Sequence, residues 1–228
     1  MNSSRLLLIT AFRFISIGAL AACAAGVCGC ASTRIELAEK FGYAKREQLT
    51  DKVKAARDGQ EEAKQQFESA LAEFIAVTGV DVKDLEARYA RLTREHERSR
   101  ARAAAVTDRI RNVERVGEAL FREWREELKQ YTSDTMRIAS ERQLDQTRAQ
   151  YDRLVGAMKA AESKMAPVLA AFNDQVLFLK HNLNARAIAS LQGTVTQVQD
   201  DVAALVREME AAIAEANAFI DEMGRSSS

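Results

Sequence analysis

The amino-acid sequence predicts an all-α fold, an elongated antiparallel helical bundle or coiled coil of about four long helices. Three observations predict it. The chain of 228 residues holds a single proline, Pro167, and ten glycines. Forty residues are alanine and 29% are charged, while aromatics make up only 6%; such a mixture of Ala, Glu, Arg, Lys and Leu builds long helices rather than sheets. Apolar residues also recur at alternating spacings of three and four from about residue 34 to residue 223, which is the period of a helical seam. The 33 Lys+Arg balance 33 Asp+Glu, which argues against nucleic acid as a partner, because phosphate binding needs a basic excess.

Residues 1–29 read as a lipoprotein signal peptide. Arg5 and Arg13 come without an acidic residue, and an apolar stretch runs from Phe14 through Val27. A basic start and a short apolar run make a secretory leader; a membrane span needs about 20 apolar residues. All three cysteines (Cys23, Cys28 and Cys30) lie at its far end among small residues, as in a lipobox, where a cysteine thiol is acylated and becomes the new N-terminus. Cys30 is the assigned lipidation site, because it leaves an apolar run of about a dozen residues, within the usual ~7–15. Cys23 is the alternative: Leu20-Ala21-Ala22-Cys23 matches better locally but shortens the apolar run. Bulky Val27 disfavours Cys28. An uncleaved N-terminal anchor helix is the competing reading of the segment. Cleavage at Cys30 removes the other two cysteines, so no disulfide or thiol-redox chemistry is expected in the body. Ala31, rather than an aspartate, follows Cys30 and favours the outer membrane over the inner.

The body, residues 30–224, divides into four helices. The first spans about 34–77, with Leu49, Val53, Ala56, Gln60, Ala63, Phe67, Ala70, Phe74 and Val77 in the seam. Gly79 suits a left-handed end and Asp81 a cap for the next helix. The second spans about 82–130, its seam including His96, Ser99, Gly117 and Trp124. Ser133 or Asp134 then caps a third helix, 134–192, in which Pro167 predicts a kink near Ser163 rather than a stop. Gly193 ends it, and Thr194 to Gln197 has the form of a capping box opening the fourth helix, 195–223. Gly224 precedes residues 225–228, which read as a disordered tail. Short connections force an up-down-up-down rod. Its first and third turns lie far from the lipid, and the turn around Thr132 lies near it.

Candidate chemistry is sparse. His96 occupies a seam position and reads as a polar register residue. His181 lies where a dense apolar run meets Lys180, His181, Asn182 and Asn184, with Asn182 in the seam; a buried interhelical network is the favoured reading there, and a ligand or metal site the lesser one. Neither histidine has another within two helical turns, so no helix-borne zinc motif is present. The carboxylate pairs Glu61-Glu62, Glu126-Glu127 and Asp200-Asp201 read as solvated faces with i,i+4 partners such as Glu118 with Arg122. Phe121, Trp124, Leu128 and Tyr131 share a face. It reads as an aromatic lock at the bundle end, or else as a membrane-proximal or partner-binding patch. Gly59 and Gly117, isolated in helices, mark close helix approach.

Three strings carry a resemblance: Phe41-Gly42-Tyr43-Ala44-Lys45-Arg46, Ala119-Leu120-Phe121-Arg122-Glu123-Trp124, and Asp174 through Asn184. They resemble a bacterial envelope family, domain of unknown function 2959, over roughly residues 30–223. In that family the lipid-bearing cysteine lies about eleven residues before the first string, as Cys30 does here, although Cys28 departs from the usual small residue at its place. The resemblance implies a lipoprotein and supplies no reaction or catalytic residue. The expected function is therefore a non-enzymatic scaffold, spacer or adaptor of the cell envelope. It would be held to the membrane by its N-terminal lipid on the periplasmic side, with an unknown envelope protein as partner, alone or as a homo-oligomer, and with no cofactor or metal. A membrane-remodelling or self-assembling helical protein is the alternative, opposed by the absence of a basic excess. A small-ligand or metal-binding protein using the His181 region is the third.

Overall fold

The computed structural model describes residues 30–79 and 81–225, with side chains from Lys45 onward. The leader with Cys23 and Cys28, and residues 226–228, lie outside the described residues. Among the described residues five helices follow in order: α1 (Cys30–Thr78), α2 (Leu85–Leu128), α3 (Asp134–His181), α4 (Ala185–Gln192) and α5 (Val195–Arg225), with a 3-10 turn, Val82–Asp84, leading into α2. Among the described residues there is no strand.

Each helix lies between two neighbours. α1 packs on α2 and α5, and α3 completes the ring by packing on α2 and α5. At ~1.5 Å per residue, the 49 residues of α1, 44 of α2, 48 of α3 and 31 of α5 make helices of about 73, 66, 72 and 46 Å. The molecule is an all-α, up-down-up-down bundle. Gln192 Nε2 donates to the Thr78 carbonyl at 2.9 Å, so the first and last turns sit together at one end. The turn at 129–133 sits at the other, where α1 begins.

The seam residues turn inward because the heptads face one axis. All nine α1 seam residues from Leu49 to Val77 are buried. Phe74 of α1 meets Phe172 of α3 edge-on across the bundle, ring centroids 6.5 Å apart. The flanks are tied by ion pairs, Glu62 to Arg102 at 2.6 Å and Glu118 to Arg148 at 2.9 Å. Glu118 thus crosses to α3 rather than pairing with Arg122 along its own helix.

Gln60 is the exception in the α1 seam. It is fully buried between Ala56 and Ala63, and neither its Nε2 nor its Oε1 has a hydrogen-bond partner. A buried amide without partners costs about 1–3 kcal/mol. Gln60→Leu keeps the approximate volume and removes the polar atoms, so it is expected to raise the urea midpoint. A lower midpoint would show that the amide is satisfied in solution.

Several boundaries differ from the sequence expectation. Gly79 does not take a left-handed conformation, and Asp81 caps the 3-10 turn through its backbone, its carbonyl accepting from Asp84 N at 2.9 Å with no side-chain cap. α2 accordingly starts at Leu85. Ser133 does cap α3, its side chain accepting from Met136 N. Pro167 lies on the exposed face of α3, which continues through it as one helix. The expected third helix, 134–192, is broken at 182–184, because Asn182 and Asn184 leave helical backbone angles. No capping box opens α5: the Thr194 hydroxyl donates back to the Leu191 carbonyl at 2.9 Å. Arg225 belongs to α5 rather than to a disordered tail and pairs with Glu222 at 2.6 Å.

Candidate functional site

Two places on the bundle hold the residues that the sequence marks out, one at each end. At the far end the Asp174–Asn184 string does not form a buried interhelical network. Lys180, His181 and Asn184 are exposed and Asn182 is half-buried. Their tasks are local. Asn182 closes α3, its Nδ2 donating to the Phe178 carbonyl at 2.9 Å, and the Asn184 side chain caps α4 by accepting from Ala187 N at 3.1 Å. These short side chains compete with the helix for its own backbone groups, which stops α3 one turn before the apolar pattern ends. Leu177, Phe178 and Leu183 are left 49%, 38% and 39% exposed. The tip therefore carries apolar side chains flanked by Lys180, His181 and Arg186.

At the end where α1 begins, the aromatic face splits by depth. Phe121 is fully buried and meets the Tyr151 ring edge-on at 5.1 Å. Tyr151 donates to the Glu114 carbonyl at 3.3 Å, and burial pushes its phenol well above the ordinary tyrosine range. Trp124 is buried too, with Arg46 of α1 over its ring at 4.2 Å to the centroid. The indole Nε1–H donates to Ser140 Oγ of α3 at 2.9 Å. Leu128 is half-buried and Tyr131 exposed.

Three helices thus converge on Trp124, and a concavity of about 230 Å³ opens beside it, lined by Arg46, Trp124, Ala139, Ser140 and Gln143. It exists because α5 is short. Arg57 reaches Asn217 and Lys64 reaches Glu210 across the α1–α5 seam, which brings the end of α5 level with Leu49, about one turn short of Arg46. Burial holds the Arg46 guanidinium below its ordinary pKa, opposed by the nearby charge of Glu127. Burial and then the Glu123 carboxylate push Glu127 up, with Arg46 and Lys45 opposing. Glu123 itself pairs with Lys45 at 2.5 Å. The sequence singled out Trp124 as the only tryptophan. It gave no sign of Arg46 or Ser140 as its partners, since a register between helices is needed to bring the three to one level.

The remaining candidates lie elsewhere on the bundle. His96 is buried in the α2 seam. Burial and then Arg100 hold its pKa below the ordinary value. As pH falls through about 6.5, the unfolded chain takes up a proton that the folded chain refuses, so stability falls with acidification. The urea midpoint is expected to drop between pH 7.5 and 5.5 more steeply in the parent than in His96→Leu, and parallel slopes would remove His96 as the cause. Glu126 is exposed and pairs with Lys129 at 2.7 Å, and Glu61 pairs with Lys64 at 3.1 Å. Among the described residues no group of His, Cys, Asp and Glu is arranged to hold a metal, and no helix is long and apolar enough to cross a membrane.

Fold and site together define an antiparallel all-α bundle with a Trp–Arg concavity at the end where its first helix begins and an apolar tip at the other. The chain belongs to the family described as protein of unknown function (DUF2959), whose model matches residues 35–223. No curated protein and no solved structure matches it.

Proposed function

We propose that this protein is a lipid-anchored, non-enzymatic adaptor of the bacterial cell envelope. In this reading Cys30 carries the lipid on the periplasmic side of the outer membrane, and the tip presents an apolar surface to a protein partner. The observation that carries it is the course of α1. One helix runs from Cys30 to Thr78, so the residue that would bear the lipid is joined without a linker to a rod about 70 Å long. At its far end Leu177, Phe178 and Leu183 stay exposed. Exposed apolar side chains clustered on a charged rod are a common mark of a docking surface. The acid-free start and the small residues before Cys30 support the anchor, and multiple acyl chains would hold it stably where one chain is marginal.

Mass spectrometry of the mature N-terminus tests the anchor: an acylated peptide beginning at Cys30 is expected, and one beginning at Met1, or acylated at Cys23, overturns it. The adaptor half has its own test. A photo-crosslinker at Phe178 in intact envelopes is expected to give a discrete band that Leu177→Glu abolishes. No band, or the same band from a crosslinker at exposed Lys159 on the shaft, overturns that half.

A further inference from the structure

We propose that the concavity beside Trp124 binds the phosphate group of an anionic phospholipid, whose apolar part lies along Met136. The lining offers donors and no carboxylate. Among the described residues no carboxylate comes within 4 Å of the Arg46 guanidinium, which stacks on the Trp124 ring and lines the concavity. Ser140 Oγ accepts from the indole, and a hydroxyl that accepts still has its own proton to give. Gln143 is exposed, with its amide N–H₂ free to turn inward. A guanidinium from α1 faces a hydroxyl and an amide from α3 across one concavity, and three donors with no acid among them suit the several oxygens of a phosphate. The volume of about 230 Å³ exceeds a single water's share of about 30 Å³ several-fold.

The rim identifies the rest of the ligand. Met136, Ala139, Ser140 and Gln143 follow one another at helical spacing and form one stripe along α3. Met136 is 64% exposed, and Tyr131 and Ile138 at the same end are 42% and 41% exposed. A bare anion would leave that stretch in water, whereas an amphiphile covers it. The opposing charge is Glu127, half-buried near Arg46; it does not line the concavity. This inference goes beyond the anchor reading and does not need it, because binding can be measured with a soluble lipid and acylation by the mass of the N-terminus.

Trp124 is the only tryptophan, so intrinsic fluorescence reads the concavity directly. The purified full chain is titrated with dihexanoyl phosphatidylglycerol below its micelle concentration. A saturable change in emission is expected, weakened at least tenfold in Gln143→Glu and in Arg46→Gln. The first of these alters an exposed side chain and should keep the parent's helical circular dichroism, so lost binding there is not lost folding. Equal binding by parent and Gln143→Glu, or no saturable change at all, overturns the proposal. Equal affinity for glycerol 3-phosphate assigns a free phosphate ester and overturns the lipid source. Equal affinity for uncharged dihexanoylglycerol reduces the site to an apolar groove and overturns it as well.

Discussion

Replacing Gly117 by alanine is expected to lower stability by about 3 kcal/mol, at the upper end of ordinary overpacking, or roughly 6–12 °C in Tm for a domain of this size. A Cβ at Gly117 would stand 2.3 Å from Tyr151 Cε2, 2.5 Å from Cζ and 2.7 Å from the hydroxyl. The ring has nowhere to go, because it is 2% exposed, set edge-on against Phe121 and held at its hydroxyl by the Glu114 carbonyl. The internal control is Gly59. A Cβ there also meets a side chain, at 2.1 Å from Arg109 Nη1 and 2.7 Å from its Cδ, but this is a long, half-exposed arginine that can swing aside as a whole. Gly59→Ala should therefore cost well under 1 kcal/mol. Thermal melts of the two variants side by side check this, and similar losses would show that the crowding around Gly117 is relieved by movement of Tyr151.

The second large effect is expected at Phe172, where truncation to alanine should cost about 3–5 kcal/mol. Phe172 and Phe74 are both fully buried and meet at 6.5 Å and 63°. They belong to α3 and α1, which face each other diagonally across the ring of helices. Losing the ring removes its apolar burial and the edge-to-face contact, the latter about 0.5–1.5 kcal/mol, and opens a gap that four helices must close together. Urea unfolding should show a lower midpoint at unchanged slope. Phe172→Leu should recover most of the loss. A cost below 1 kcal/mol for the alanine variant would mean that the helices collapse onto the space freely.

The bundle was legible in the sequence because one signal, the three-four spacing, sets both the helices and their buried face. It placed even polar residues correctly: Gln60, His96 and Ser99 occupy seam positions and are buried. The same signal misled at the end of α3. Leu177, Phe178 and Leu179 continue the apolar run, yet only Leu179 turns inward, and the asparagines beyond it end the helix instead of forming a network. Side-chain capping is a contest decided locally, and composition does not report its winner. The Trp124 concavity was half legible. A lone tryptophan marks a place, but Arg46 and Ser140 are 78 residues before it and 16 after it in the chain. Their meeting depends on how far each helix slides along its neighbour, which the heptad repeat leaves free by whole turns.

The unbroken course of α1 between two antiparallel neighbours has a mechanical consequence. A pull on Cys30 along the helix axis would try to slide α1 lengthwise past α2 and α5 at once. Every layer of the α1 seam from Leu49 to Val77, with the cross-links from Glu62 to Arg102 and from Lys64 to Glu210, would then bear load together. That is shear, in which bonds share the force, rather than peeling, in which they fail one after another. A tether acting on the far end sideways would find the weaker direction, because lateral force opens the turns at the tip first. The same chain would thus resist tension along its length and yield to leverage across it.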